Sequence, residues 1–247
     1  MAKENRGGEV MGIKANLEMV QLKINAAATK AGRDPKSIKL VAVTKLMPLE
    51  VVQSAYDAGM HCFGENYPEQ AVDKILAMEG QPQIEWHMIG HIQSRKAELV
   101  SRYFDKVHSV DRLKIARYLN RYCGELDKVM PILIEVNLSG EDSKAGFPAW
   151  HEDQWTELCI SLGEITELPN IKVKGLMTMP PMFEDPEKSR PIYRQLKRLQ
   201  RYLQDQIPNT IWDELSIGTS FDYEVAVEEG ATLVRIGTEL FGSRPVD

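Results

Sequence analysis

One lysine stands where its amine could do covalent chemistry. Lys45 follows the apolar, β-branched run IKLVAV of residues 38–43 and precedes Pro48. An amine that is partly withdrawn from water has a lowered pKa, and its lone pair can then attack a carbonyl carbon to form a Schiff base. The position of Lys45 in the sequence agrees equally well with a Schiff-base lysine and with a lysine on a solvated loop.

Two short segments combine glycine with hydroxyl residues. SIGTS occupies residues 216–220 and RIGT occupies residues 235–238, and each ends a strand-like run. Backbone N–H groups beside glycine can approach an anion closely, and a helix N-terminus favours negative charge. The two segments therefore predict a phosphate site. Together with Lys45 they indicate a phosphorylated carbonyl compound, and both pyridoxal 5′-phosphate (PLP) and the sugar phosphate of a Schiff-base aldolase fit.

Other polar residues carry weaker signals. His87 and His91 have a metal-ligand spacing for a helix, but the surrounding pattern is that of a strand and no third ligand follows, so no metal site is predicted. Glu65 and Asn66 suit either a helix cap or a ligand contact. The basic run of residues 188–201 reads as the solvated face of a helix.

Strand-like and helical segments alternate along the chain. A helical segment precedes eight strand-like runs, and helical sequence separates each run from the next. Strict alternation predicts a parallel sheet, and eight units in about 250 residues are the size of a (β/α)₈ barrel. An open doubly wound sheet is the competitor, but it usually has a glycine-rich turn after its first strand, which is missing here. The eight predicted strands are residues 38–45, 61–64, 84–90, 106–110, 131–138, 171–179, 213–218 and 232–237.

The fold expected is thus α/β: a single TIM-type barrel with an extra N-terminal helix, forming one domain over residues 1–247. The carboxyl ends of the strands of such a barrel carry its chemistry. Lys45 and both glycine-containing segments then lie at the same end.

Composition limits the compartment and the partners. The 247 residues include 30 Lys and Arg against 36 Asp and Glu, a net charge of −6 that disfavours nucleic-acid binding. No apolar run reaches the roughly 20 residues of a membrane helix, and the N-terminus lacks the apolar core of a signal peptide. The three cysteines have neither zinc nor disulfide spacing. We expect a cytoplasmic protein without a membrane, metal or nucleic-acid partner.

An ordered set of segments resembles one family, the pyridoxal phosphate homeostasis proteins. The resemblance covers about residues 38–244, and it implies a fold like the N-terminal barrel of alanine racemase. The segments are VAVTKLMP, FGENY, WHMIGHIQ, VNLSGEDSKAG, GLMTM and LSIGTSFDYEVAVEEGATLVRIGTELFG.

The resemblance also implies the cofactor and its ligands. PLP would be held as a Schiff base on Lys45, with Arg235 facing the pyridine nitrogen. The family commonly has a methionine where this chain has Thr219, which puts that side-chain contact in doubt. The remaining implied residues are Asn66 and Met177 along the ring, and Ser216, Gly218, Ser220, Gly237 and Thr238 around the phosphate.

These expectations argue against fast turnover. Arginine stays protonated, so Arg235 keeps the pyridine nitrogen unprotonated, and such a ring is a poor electron sink. Racemisation also needs acid and base groups on both faces of the substrate. In alanine racemase the second group comes from a further C-terminal domain of the partner subunit, which we expect this chain to lack. No catalytic residue is predicted.

The function implied is therefore a monomeric PLP carrier that buffers the cofactor or delivers it to PLP-dependent apoenzymes, and so affects amino-acid and keto-acid balance. The alternatives are a PLP-dependent racemase of low activity or a Schiff-base aldolase, and an interaction protein that binds its partner through Arg194, Lys197 and Arg201.

Overall fold

Eight parallel strands close into a barrel in the computed structural model, which describes residues 2–141 and 143–242, with side chains from residue 12 onward. The strand order runs β4-β3-β2-β1-β9-β8-β7-β5, and pairing of β4 with β5 closes the ring. The predicted (β/α)₈ barrel is confirmed. The strands are β1 Lys39–Val43, β2 Cys62–Glu65, β3 Glu85–Met88, β4 Lys106–Val110, β5 Met130–Asn137, β6 Phe147–Pro148, β7 Ile171–Met177, β8 Glu214–Thr219 and β9 Leu233–Ile236.

Amphipathic helices surround the barrel. Apolar residues that recur every three or four positions form one face of each helix, as Leu196, Leu199 and Leu203 do, and all three are fully buried. The α-helices within the described residues are α1 Ala2–Lys30, α2 Leu49–Asp57, α3 Pro68–Ala77, α4 Ala97–Tyr103, α5 Leu113–Glu125, α6 Trp155–Thr166, α7 Arg190–Gln206, α8 Tyr223–Glu228 and α9 Thr238–Phe241.

Helix α1 is the predicted extra helix. It precedes the first strand and packs against α2, α8 and α9. Val20, Ile24 and Ala28 of its apolar face are fully buried. Just beyond its end, the Arg33 guanidinium donates hydrogen bonds of 2.6 and 2.7 Å to two carbonyl oxygens around the end of α8. The helix thus braces the last two barrel units, which carry the second glycine-containing segment. Among the described residues, no helix combines the length and the apolar character that crossing a membrane requires.

One short strand was not predicted from the sequence. Strand β6 pairs in parallel with the end of β5. Gly146, with φ of +112°, makes this approach possible, because a Cβ there would lie 2.8 Å from the Asn137 backbone nitrogen. The Asn137 side chain accepts from two backbone N–H groups of the loop, at Ser139 and Gly140. The loop after β5 is therefore anchored to the barrel at both ends.

Candidate functional site

Lys45 lies in a tight turn between β1 and α2. The Met47 N–H donates to the Thr44 carbonyl oxygen at 3.0 Å, which closes the turn around Lys45 and Leu46. Leu46 has φ of +61°, a conformation that usually requires glycine at this position of a turn. The Lys45 side chain is half-buried. The chain thus presents Lys45 at the carboxyl end of β1 in a locally strained backbone.

A buried ion pair supports this turn from α3. Lys74 Nζ lies 2.5 Å from Glu65 Oε1, and it also donates to the Thr44 carbonyl oxygen at 3.0 Å. The Thr44 hydroxyl donates to the same Glu65 oxygen at 2.7 Å. All three side chains are buried. Of the two roles open from sequence, Glu65 does not take that of a cap for α3; it holds the residue before Lys45 in place.

Asn66 has a buried oxygen without a partner. No group among the described residues donates to its Oδ1. A buried polar atom that is left unpaired costs about 1–3 kcal/mol. Asn66 follows directly after β2, at the end of the barrel that carries Lys45. An unpaired acceptor at this place fits a ligand that brings a hydrogen-bond donor.

The loops after β8 and β9 are joined through Ser220. Its hydroxyl oxygen accepts from the backbone N–H groups of Gly237 at 3.1 Å and of Glu239 at 3.4 Å. These two donors use the lone pairs of the oxygen, so the hydroxyl proton can be donated elsewhere. Gly237 and Ser220 are half-buried, and Thr238 at the start of α9 is exposed. The arrangement can donate hydrogen bonds to an anion.

Asp222 shapes the loop that follows β8. Its Oδ1 accepts from the Thr219 N–H at 2.8 Å and from the Thr219 hydroxyl at 3.1 Å, and its Oδ2 accepts from the Tyr193 hydroxyl at 2.5 Å. Thr219, where the family commonly has methionine, thus helps to close the loop. Gly218 has φ of +88°, and a Cβ there would lie 2.6 Å from Ala226 of α8. Glycine is needed for the loop to pack against this helix.

Arg235 is the buried cation of the barrel interior. It lies on β9 level with Val41 of β1 and is 4 % exposed. Its Nη1 donates to the Ser216 carbonyl oxygen at 2.6 Å and to the Ser216 hydroxyl at 2.5 Å, and its Nη2 donates to the Thr178 carbonyl oxygen at 3.2 Å. Burial lowers the pKa of Arg235, but an arginine remains protonated in proteins.

Glu135 is a nearby carboxyl group in an unfavourable environment. Burial, and to a lesser extent the Asp111 carboxylate, raise its pKa to about 7, against the opposing effects of Arg235 and Lys144. The side chain is 8 % exposed. The neutral and the charged form of Glu135 therefore both exist near neutral pH.

The predicted site residues divide into two groups. Lys45, Asn66, Gly218, Ser220, Gly237 and Thr238 lie in or beside the loops at the carboxyl ends of the strands. Ser216 and Met177 are buried deeper: Met177 packs inside the barrel with Leu133 and Leu233, and the Ser216 hydroxyl contacts Arg235 and His108. The structure therefore associates the Ser216 hydroxyl with Arg235.

Sequence reasoning missed the residues that hold these loops. Lys74 lies nine residues from Glu65, and Tyr193 lies 29 residues from Asp222. No local pattern marks such partners. Arg190 of α7 also finds partners within the chain, since it contacts Glu228 and Glu229 at the end of α8 at 2.8 and 2.7 Å.

The assembled groups fit PLP. Lys45 supplies an amine for an aldehyde, the Ser220 region supplies donors for a phosphate, and Arg235 supplies a donor for a ring nitrogen. The orphaned Asn66 oxygen adds an acceptor for a hydroxyl group. The donors in the loops around Ser220 and Gly237 are neutral N–H and O–H groups, which bind a phosphate through hydrogen bonds.

Comparisons with known proteins agree with this chemistry. The model of the family "Alanine racemase, N-terminal domain" matches residues 16–245. The pyridoxal phosphate homeostasis proteins of Vibrio alginolyticus and Escherichia coli strain K12 are 41 % and 40 % identical to this chain, each alignment covering 94 % of the chain and 97 % of the relative.

Solved structures agree as well. PipY of Synechococcus elongatus PCC7942, solved with PLP bound, has a TM-score of 0.81 at 32 % identity and covers 93 % of this chain and 100 % of its own. Alanine racemase of Clostridium difficile 630 shares the fold, with a TM-score of 0.69 at 15 % identity over 96 % of this chain and 58 % of its own. The chain therefore belongs to the family of the alanine racemase N-terminal domain and, within it, to the pyridoxal phosphate homeostasis proteins.

Proposed function

We propose that this protein binds PLP as a Schiff base on Lys45 and acts in intracellular PLP homeostasis, by buffering the cofactor or delivering it, with little or no catalytic turnover. The observation that carries the proposal is the convergence of Lys45, the orphaned Asn66 oxygen and the Ser220 loops at one end of the barrel, above Arg235. The names of the relatives at about 40 % identity support it.

Each residue then has a stated task. Lys45 holds the aldehyde carbon, and the Lys74–Glu65 pair fixes the turn that carries it. Gly218, Ser220, Gly237 and Thr238 surround the phosphate. Arg235 donates to the ring nitrogen and Asn66 contacts the ring, while Ser216 and Met177 support the ring from the barrel interior. When bound, PLP supplies an electrophilic carbon that exchanges between amines.

Low turnover follows from Arg235. The guanidinium keeps its charge, and a ring nitrogen that accepts a hydrogen bond from it stays unprotonated, because two adjacent positive charges repel each other. Such a ring withdraws little charge from a substrate carbanion. The PLP-dependent racemase of low activity is therefore the second candidate, carried only by the shared fold.

The proposal includes the cellular setting. We place the protein in the cytoplasm as a monomer with a single domain over residues 1–247, and PLP-dependent apoenzymes as recipients of the cofactor. Cys62, Cys123 and Cys159 are free thiols, which suits a reducing compartment. Arg194 of α7 pairs with Glu229 at 3.1 Å, so a partner that binds through this arginine would have to compete with Glu229.

The test is to load the purified protein with PLP, record its absorption spectrum, reduce it with borohydride and map the modified peptide. We expect a visible imine band and a phosphopyridoxyl adduct on Lys45. Lys45→Ala should lose both, whereas the control Lys172→Ala, at an exposed lysine on the opposite end of the barrel, should keep both. A full imine band in Lys45→Ala, or no PLP uptake by the wild type, contradicts the proposal.

A second measurement separates the carrier from the racemase. The loaded protein is incubated with L-amino acids in deuterated water, and exchange at the α-carbon is followed by NMR. Exchange no faster than with free PLP supports a carrier. Sustained exchange with loss of stereochemistry establishes the racemase.

A further inference from the structure

A continuous hydrogen-bonded chain of side chains crosses the interior of the barrel. Ser216 Oγ lies 2.8 Å from Nδ1 of His108, and Nε2 of His108 lies 3.0 Å from Nδ1 of His87. Nε2 of His87 lies 3.1 Å from Oε2 of Glu85. Strands β4 and β8, which carry His108 and Ser216, are not neighbours, so this contact spans the barrel. This row of hydrogen bonds leads from the half-exposed Glu85 to Arg235.

The groups at the two ends of this row of hydrogen bonds, Arg235 and Glu85, determine which atom donates in each of them. Arg235 has only donors, so Ser216 Oγ accepts from it. The Glu85 carboxylate only accepts, since hydrogen bonds from His87 and Lys39 lower its pKa to about 2. His87 therefore donates from Nε2 and accepts at Nδ1. His108 must then donate from Nε2, and its Nδ1 accepts the Ser216 hydroxyl proton.

We propose that His87 and His108 are positioning residues, both neutral, with their protons arranged in this one order. They hold the Ser216 hydroxyl so that its oxygen accepts a hydrogen bond from Arg235. This hydrogen bond orients the guanidinium toward the cofactor ring. The inference rests on the proposed function, because it assumes that the ligand above Arg235 is PLP. It assigns roles to two histidines outside the cofactor contacts. With both rings neutral, every ring nitrogen has a partner of the opposite hydrogen-bonding type in this row, and the Cys62 sulfur, 3.5 and 3.6 Å from the two nitrogens of His87, adds only a weak contact.

The surroundings keep both histidines neutral. His87 and His108 are fully buried, and burial lowers the pKa of each. The hydrogen bond to Glu85 and the charge of that carboxylate oppose this effect on His87, but burial outweighs them and the pKa of His87 remains lowered. The ammonium of Lys106 lowers the pKa of both rings further, and that of Lys39 lowers the pKa of His87. These lysines pair with Glu214 at 2.7 Å and with Glu85 at 2.9 Å. Arg235 further disfavours a charge on His108.

The same surroundings argue against a metal ion. Ligand atoms of Cys62, Glu85 and His87 lie within 4.8 Å of one another. Burial, the main cause, raises the pKa of the Cys62 thiol to about 12, so a metal ion would have to displace the thiol proton in order to bind here. The ammonium groups of Lys39 and Lys106 lie close enough to act on this thiol, and they repel a cation. The hydrogen-bonded chain accounts for both histidines without an ion.

The Ser216 hydroxyl is the group through which the two histidines act on Arg235. Its one proton goes to His108, so its lone pairs face Arg235, whose Nη1 also bonds the Ser216 carbonyl oxygen. Without an acceptor at His108, the hydroxyl can rotate and present its proton toward the guanidinium, which repels it. The arginine then loses one of its fixed partners. The expected consequence is a weaker and less directed hydrogen bond to the cofactor ring.

The first test reads the proton positions in the wild-type protein and uses variants only to assign the signals. Protein labelled with ¹⁵N-histidine is measured by long-range ¹H–¹⁵N NMR without cofactor, and His87→Asn and His108→Asn spectra assign the two signals. We expect both rings to carry the proton on Nε2, with Nδ1 unprotonated, between pH 6 and pH 8. A proton on Nδ1 of either ring, or an imidazolium at pH 7, overturns the inference whether or not the protein binds PLP.

The second test measures positioning. His108→Asn keeps an acceptor for the Ser216 hydroxyl, whereas His108→Leu removes it; His151→Gln, at an exposed histidine, is the control. We expect His108→Leu to shift the absorption maximum of bound PLP and to speed its release roughly two- to tenfold, the equivalent of one net hydrogen bond. His108→Asn should retain most of the wild-type behaviour.

The outcomes separate this inference from the proposed function. If the wild type loads PLP and His108→Leu matches it in absorption and release, the inference fails and the function stands. If the wild type takes up no PLP, the proposed function fails, and the NMR measurement still decides the proton order. If His108→Leu does not fold, Ser216→Ala replaces it, because this change removes the hydroxyl that joins the chain to Arg235.

Discussion

At the scale of single residues, the burial of the Glu135 carboxyl group lowers the stability of the fold at pH values where the group is ionised. Its carboxyl group is 8 % exposed, and its pKa is raised to about 7 chiefly by burial. In the unfolded chain the same group titrates near its ordinary value. Because the folded pKa is the higher one, the folded protein binds more protons between these values. The contribution of Glu135 to stability is therefore greatest below about pH 4.5 and is lost as the pH rises toward 7.

Glu135→Gln removes this dependence. We expect the variant to gain free energy of unfolding over the wild type, and the gain to be about 2–3 kcal/mol larger at pH 8 than at pH 5. Urea denaturation of the protein without cofactor at both pH values measures it. The control Glu157→Gln changes an exposed carboxylate on α6. An equal change in stability at the two pH values would show that Glu135 is not destabilised by its burial.

At the scale of elements, the turn after β1 depends on a residue of α3. Lys74 donates to the carbonyl oxygens of Thr44 and Met47, on either side of Lys45, and neutralises the buried Glu65. Removing one partner of a buried ion pair leaves an uncompensated charge. Helix α3 therefore acts on the position of the Schiff-base lysine as well as on the stability of the barrel.

Lys74→Met should destabilise the protein by about 3–5 kcal/mol, because the Glu65 carboxylate remains buried without its partner. It should also speed the release of PLP, since the Lys45 turn loses two hydrogen bonds. The double variant Glu65→Gln with Lys74→Met should recover part of the lost stability. Urea denaturation provides the measurement, and Arg121→Met, which removes an exposed ion pair with Glu125, is the control that should change little. A double variant that is no more stable than Lys74→Met contradicts the argument.

At the scale of the whole molecule, the closed barrel brings together segments from opposite ends of the chain. Strand β1 pairs with β9, so the Lys45 turn adjoins the loops around Ser220 and Gly237. A ligand that contacts all of them ties the first barrel unit to the last two. Such a ligand binds only the folded chain and therefore raises its stability by mass action.

PLP and pyridoxal, which lacks the phosphate, test this connection. PLP at about 100 times its dissociation constant should stabilise the protein by about 2.7 kcal/mol and raise the melting temperature by roughly 5–10 °C, whereas pyridoxal at the same concentration should do much less. Ser220→Ala should reduce the advantage of PLP over pyridoxal. Thermal denaturation followed by circular dichroism measures both. Equal stabilisation by the two compounds would show that the loops after β8 and β9 do not hold the phosphate.

The amino-acid sequence by itself determined the barrel, the extra helix and the place of Lys45. These follow from local patterns: the alternation of β-branched runs with helical spacing, and the residue type at the end of a run. The glycine-containing segments after β8 and β9 were also visible, because their conformation needs glycine within a few residues, as at Gly218.

Only the tertiary structure decided which polar side chains meet inside the barrel. His108 and Ser216 are 108 residues apart and lie on strands that do not pair, so neither sequence spacing nor strand order predicts their contact. The same holds for Lys74 beneath the Lys45 turn. The expectation that Ser216 lies near the phosphate stays a prediction, and the structure adds a contact between its hydroxyl and Arg235, 19 residues away, that no local pattern indicates. Barrel closure sets which side chains share the interior, because it fixes the relative height of all eight strands at once.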